Sequence, residues 1–124
     1  MATLTPTWNE RFIDSWNRSP QARDSMRGAG PVRFVELDHN IREAIFFWDE
    51  AGQVTLENDR QGESMPCFTA RSVIWDEFCG GGLEARWAVM TRKIKYTGSM
   101  SFAVRYGESF NWVARVLRDN QQGG

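Results

Sequence analysis

Apolar residues first repeat at helical spacing near the start of the chain. Trp8, Phe12, Ile13 and Trp16 lie at i, i+4, i+5 and i+8 and form one stripe, with Thr7 as the expected N-cap. Ser19-Pro20 signals a second, short helix, with serine as cap and proline at the first helical position. That helix turns Ala22 and Met26 inward and ends at Gly28-Ala29-Gly30-Pro31. The period then shortens. Residues 32–38, 43–49, 53–59 and 67–71 are β-branched or aromatic-rich and read as strands. Within 43–49, Ala44, Phe46 and Trp48 share one face, and Ile45 and Phe47 the other. Glu50-Ala51-Gly52 joins the second and third strands as a hairpin turn.

Ser72 is the expected cap of a short helix, stopped by Gly80-Gly81-Gly82. Leu83, Trp87 and Met90 follow on one helical face at i, i+4 and i+7. Residues 93–98 read as a last short strand, with Ile94 and Tyr96 on one side and Lys93 and Lys95 on the other. Ser99 caps one long final helix whose apolar set runs from Met100 to Leu117 and is wider than a single stripe. The four last residues form a frayed tail. Helices, a run of strands, helices, one strand and a helix predict an α+β domain, with helices on one face of a mostly antiparallel sheet.

The 124 residues set the scale at one domain, 1–124, with an ordered part at about 7–118. Net charge is −1, which argues against a nucleic-acid-binding domain. Arginine supplies 13 of the 15 positive charges, and the two lysines, Lys93 and Lys95, join Arg92 in a small basic patch. Cys67 and Cys79 are not spaced as a redox or zinc pair, so free thiols in the cytoplasm are expected. No segment reads as a signal peptide or a membrane span.

Candidate chemistry is sparse. His39 sits in the turn Asp38-His39-Asn40 with no nucleophile elbow near it. Asp76 and Glu77 are adjacent on a helix and point about 100° apart, so they compensate a helix dipole better than they make an acid pair. The triple glycine lacks the preceding strand and following Gly-Lys-Ser/Thr of a phosphate loop. No catalytic set, metal site or cofactor is expected. Six tryptophans and an aromatic content of 13% point the other way, to an apolar lining that could exceed what a sheet face covers. Gly107, inside the predicted last helix, is explained by close approach of a neighbouring element or by an unselected weakness.

The stretch FTARSVIWDEFCGGGLEARWAVMTRKIKYTGSMSFAVRYGESFNWV resembles the C-terminal half of the sterol carrier protein type 2 domain family in its bacterial form. Trp75, Gly80, Gly81, Gly82, Met90, Thr91, Lys93, Ile94, Lys95, Gly98, Met100, Arg105, Tyr106 and Phe110 carry the likeness in order. FIDSWNRSPQARDSMRGAGPVRFVELD fits the N-terminal half more loosely. One position departs: where the family usually has glycine before the first lysine, this chain has Arg92.

The resemblance implies a five-stranded, mainly antiparallel sheet, helices over one face and an apolar tunnel between them. It implies binding or transfer of a fatty acid, fatty acyl-CoA, sterol or similar molecule without catalysis. The expected lining is Phe34, Phe46, Trp48, Leu56, Phe68, Trp87, Met90, Met100, Phe102, Tyr106 and Phe110. Arg92, Lys93 and Lys95 are the expected rim, as partners for a carboxylate or phosphate or simply as a solvated strand face. The expected partner is thus a hydrophobic small molecule, with transient membrane contact compatible. Two alternatives stay open: an enzyme or enzyme accessory acting on a polyketide, terpenoid or steroid, with Tyr106, Glu108 or Asp76 as acid–base groups, and an interaction module with no ligand.

Overall fold

The structure is a computed structural model that describes residues 4–38, 41–57 and 64–123, the last six of them by backbone alone. Its elements, in order, are α1 (Pro6–Asn17), α2 (Pro20–Ser25), β1 (Gly30–Glu36), β2 (Arg42–Trp48), β3 (Val54–Leu56), β4 (Cys67–Ala70), α3 (Ser72–Cys79), α4 (Ala85–Met90), β5 (Lys95–Thr97), α5 (Met100–Tyr106) and α6 (Asn111–Gly123). The expected His39 turn lies outside the described residues.

Two helix starts differ from expectation, one for a local reason and one for a distant one. Helix α1 begins at Pro6, not Trp8, because Thr5 Oγ1 accepts the Trp8 N–H at 3.3 Å and Pro6 fills the first position. This is the same device that Ser19 and Pro20 use at α2, where Ser19 Oγ accepts from Ala22 N at 3.2 Å. Helix α3 starts at Ser72 itself. Asp38, thirty-four residues upstream, accepts both the Ser72 N–H (2.8 Å) and its hydroxyl, so the capping carboxylate comes from beyond β1. Those bonds hold the Asp38 carboxyl below its usual value.

The sheet order is β3-β2-β1-β4-β5. It is mixed: β1 and β4 run parallel, and the other three pairs are antiparallel. Directly opposed residues share a face. One row therefore runs Ala44, Phe34, Phe68, Tyr96 from the sheet centre to the β5 edge. A second row holds Leu56, Phe46 and Val32.

Helix α1 lies over the second row. Phe12 meets Phe46 at 5.0 Å between centroids, and Trp16 meets Trp48 at 5.6 Å, both edge to face. Trp16 also donates its indole N–H to Gly52 O at 2.9 Å. The hairpin can come that close only because residue 52 lacks a side chain: a Cβ there would sit 1.9 Å from Arg23 O, and its φ is +78°. The Asn17 amide then grips the edge strand, donating to Val54 O (3.1 Å) and accepting from Val54 N (2.8 Å).

The single long final helix does not form. Helix α5 stops at Tyr106 and α6 begins at Asn111, with a turn between. Two ties hold the turn to the end of α2: Tyr106 Oη donates to Arg27 O (3.1 Å), and Ser109 Oγ donates to Ser25 O (2.9 Å). Phe110 is thereby driven into the core, 3% exposed. The apolar set looked too wide for one stripe because it belongs to two helices burying different faces. Helix α6 packs on α1 and α3 through Val113, Val116 and Leu117, and continues to Gly123 where a frayed tail was expected.

Candidate functional site

The row of side chains that ends at Tyr96 leads out from under the helical layer to the β5 edge. There α4 and α5 stand apart and leave a partly open cavity of about 460 Å³. This falls within the roughly 300–1,000 Å³ usual for small-molecule sites. Phe68, Tyr96 and Phe110 form its floor, Ala85, Val89 and Met90 one wall, and Met100, Ala103, Val104 and Gly107 the other. Arg86 is the one charged residue among those lining it.

The walls are held by bonds at their ends. Glu84 caps α4, accepting from Arg86 N and Trp87 N at 3.3 Å. Asn111 Oδ1 accepts the Ala85 N–H at 2.8 Å, which ties the start of α4 to the start of α6. Arg86 pairs with Glu108 at 3.2 Å across the closed end. At this end, a Cβ on Gly107 would press on Ala103 O at 2.5 Å and Arg86 Nε at 3.2 Å, so the missing side chain lets Arg86 lie against the turn. On the far side, Tyr96 Oη donates to Ser99 O at 2.6 Å and fixes the entry of α5. Burial keeps that phenol above its usual pKa of 10.0, so it remains a neutral donor.

Helix α4 ends in a Schellman motif. Lys93 N donates to Ala88 O (2.9 Å) and Arg92 N to Val89 O (3.1 Å). Arg92 occupies the left-handed position of the motif, with φ +62°. This is the position where the resembling family has glycine.

Below the floor lies a void of about 10 Å³, lined by Phe34, Trp75, Phe78 and Ile94 and sharing Phe68, Ala85, Val89 and Phe110 with the cavity. That is at the lower limit for holding one water (~10–15 Å³). Phe68 and Phe110, 4.5 Å apart, are the partition.

Of the residues expected to line a site, Phe68, Met90, Met100 and Phe110 meet at this cavity, and Phe34 lines the void beneath it. Phe46 and Trp48 are wholly buried under α1. Phe102 packs beside Tyr106 and Phe110, at 5.0 and 6.1 Å. Leu56 is at the opposite sheet edge, and Trp87 stands on α4 with 57% exposure. Arg92, Lys93 and Lys95 are exposed. The sequence reading did not select Ala85, Arg86, Val89, Tyr96, Ala103, Val104 or Gly107. A readable signal existed: Met100, Ala103, Val104 and Gly107 follow i, i+3, i+4 and i+7.

None of the three acid–base candidates, Tyr106, Glu108 and Asp76, is among the residues that line the cavity. The Tyr106 hydroxyl is spent on a backbone carbonyl, and exposed Glu108 pairs with Arg86. Among the described residues, no cluster of three His, Cys, Asp or Glu could hold a metal, and no helix is long and apolar enough to cross a membrane.

No protein-family model and no curated sequence matches the chain, so comparison rests on structure. A crystal structure of sterol carrier protein 2 superposes with a TM-score of 0.77 over 94% of this chain and 98% of that one, at 16% identity. The fold is that of sterol carrier protein 2. A conserved hypothetical protein of Thermus thermophilus matches with a TM-score of 0.73 over 96% and 90% of the two chains, also at 16% identity. The ubiquinone synthesis protein UbiJ-SCP2 follows at 0.64 over 93% and 91%, at 14% identity. The sterol carrier protein 2 fold thus spans nearly the whole chain, and at these identities the likeness is one of fold.

Proposed function

We propose that this chain is a non-enzymatic carrier of a hydrophobic small molecule, such as a fatty acid, fatty acyl-CoA or sterol. One observation carries the reading: the partly open, hydrocarbon-lined cavity of about 460 Å³ between α4, β5 and α5. The sterol carrier protein 2 fold supports it. Burying apolar surface is the driving force, at about 0.8 kcal/mol per CH₂. A chain of ~16 carbons gains roughly 12 kcal/mol gross, which after ordering costs leaves micromolar or tighter binding. Such a site discriminates weakly between similar chains, since one methylene changes the balance by only about 0.8 kcal/mol.

Native mass spectrometry of the chain with palmitate, palmitoyl-CoA and cholesterol tests the reading. The expected result is a complex of one ligand per chain with at least one of the three. A bare chain at high micromolar concentration of all three would remove the carrier function.

A second reading is favoured by the match to a ubiquinone synthesis protein. Here the same cavity presents a hydrophobic metabolite to an enzyme, or the chain acts on it. Chemical change of a bound ligand on incubation with the chain alone would select the enzymatic version.

A further inference from the structure

A guest with an ionised head needs hydrogen-bond donors on the wall it meets, and the side chains of this cavity offer them at one point. Arg86 and Tyr96 are the polar side chains among the lining residues. Tyr96 gives its hydroxyl proton to Ser99 O and has none left to donate. Arg86 differs. Its guanidinium is a fork of N–H donors, of which Nη1 meets Glu108 Oε1 at 3.2 Å. Its Nε edge lies against Gly107, a residue of the same cavity, where a Cβ would come within 3.2 Å. The missing side chain leaves that edge of the fork uncovered.

Glu108 is a weak competitor for this fork. Its side chain is 75% exposed and that of Arg86 48%, so water screens the pair, and ion pairs of this kind contribute little. The other carboxylate at this end, Glu84, is taken up by Arg86 N, Trp87 N and Asn111 Nδ2. A carboxylate that arrives on an apolar chain brings its own cover: the buried chain displaces water, and the weaker screening strengthens its bond to the guanidinium.

We propose that Arg86 is the specificity-determining residue of the cavity. It exchanges Glu108 for the carboxylate of an incoming fatty acid, whose head lies toward Gly107 and whose chain crosses Phe68 and Phe110 toward Met90 and Met100. The inference rests on the carrier reading and names the ligand class of that same cavity. A fatty alcohol or a sterol offers a neutral hydroxyl at this point, and an acyl thioester a neutral carbonyl. Such acceptors bind a guanidinium about half as strongly as a carboxylate does, and they leave Glu108 in place.

The test compares palmitate with 1-hexadecanol, which keeps the chain length and removes the charge, by native mass spectrometry titration at mildly alkaline pH. A charge-assisted bond of this kind is worth about ten- to a hundredfold in affinity, so wild type should prefer palmitate by at least tenfold. Arg86→Met keeps an apolar stem of similar reach, and should lose that preference while binding 1-hexadecanol as wild type does. Arg86→Lys keeps the charge without the planar fork and should fall between the two. Glu108→Gln removes the competitor and should tighten palmitate by about two- to fivefold without changing 1-hexadecanol. Circular dichroism of each variant should match wild type, since both positions are solvent-accessible.

Equal binding of palmitate and 1-hexadecanol by wild type would overturn the inference and leave the carrier reading standing. So would an Arg86→Met variant that weakens both ligands alike, because Arg86 would then only tie α4 to the turn before α6. Should Arg86→Met fail to fold, the wild-type comparison and Glu108→Gln decide the matter on their own. Capture of neither ligand, nor of cholesterol or palmitoyl-CoA, would instead remove the carrier reading, and the anchor with it.

Discussion

Replacing Arg92 by glycine should stabilise the chain, although arginine makes more interactions than glycine in most settings. Arg92 is the left-handed residue of the α4 Schellman motif, at φ +62°. A side chain in that conformation costs roughly 1–2 kcal/mol, because Cβ crowds the following carbonyl. Glycine removes this cost but frees the unfolded chain, which returns about 0.4–1 kcal/mol. The net gain is about 0.5–1 kcal/mol, or a Tm rise of roughly 2–4 °C for a chain of this size. Urea and thermal unfolding would measure it, with an unchanged m-value showing that only stability moved. Arg92→Ala is the control: it deletes the same charge and keeps Cβ, so it should stay near wild type. If Arg92→Gly is no more stable than Arg92→Ala, the backbone argument fails.

Three further changes probe other parts of the account. Phe110→Ala removes the partition between cavity and void and should cost about 3–5 kcal/mol in urea unfolding, since its ring meets Phe68, Phe34 and Trp48. Glu36 is 4% exposed, and burial raises its carboxyl above 4.5 more strongly than Arg42, 3.8 Å away, lowers it. A folded pKa above the unfolded one favours folding of the protonated form; that contribution is complete below pH 4.5 and is lost as pH rises through the folded value. Glu36→Gln should therefore be more stable than wild type at neutral pH and converge with it below pH 4.5, as read from urea midpoints across pH. Gly52→Ala sets a methyl 1.9 Å from Arg23 O in a left-handed residue, and should cost more than ~2 kcal/mol while freeing the Trp16 indole N–H to exchange.

Much of the fold could be read from the chain because its local signals agree with one another. The β1 faces alternate, Ser19-Pro20 starts α2, and Ser99 accepts the Phe102 N–H to cap α5 as expected. The α1 start was misread although its Thr5-Pro6 signal is local, but two other misread boundaries have distant causes. Helix α3 takes its capping acceptor from Asp38, and the break after Tyr106 is held by carbonyls at the end of α2. Neither partner is visible in a local window. The site was legible only in part for a related reason. Alternation says that Phe46, Trp48, Phe34 and Phe68 share a sheet face, but not where along that face α1 ends and the opening begins. Phe46 lies under α1 and Phe68 lies at the cavity, so identical signals have opposite surroundings. Attention to large aromatics also hid the small residues Ala85, Ala103 and Gly107, which allow the cavity by leaving its walls thin. Arg92 worked in the other direction: a departure noted in sequence marked the one strained residue at the end of α4.

The central claim is that vacant apolar volume between α4 and α5 holds a guest. Ala103→Trp tests it most directly, since residue 103 lines the cavity and a bulky indole there competes for the same space. Palmitate binding by wild type and by a folded Ala103→Trp variant would be compared by native mass spectrometry and titration. One bound palmitate in wild type, weakened at least tenfold in the variant, is the predicted result. Equal binding by both would place the guest elsewhere and contradict the account.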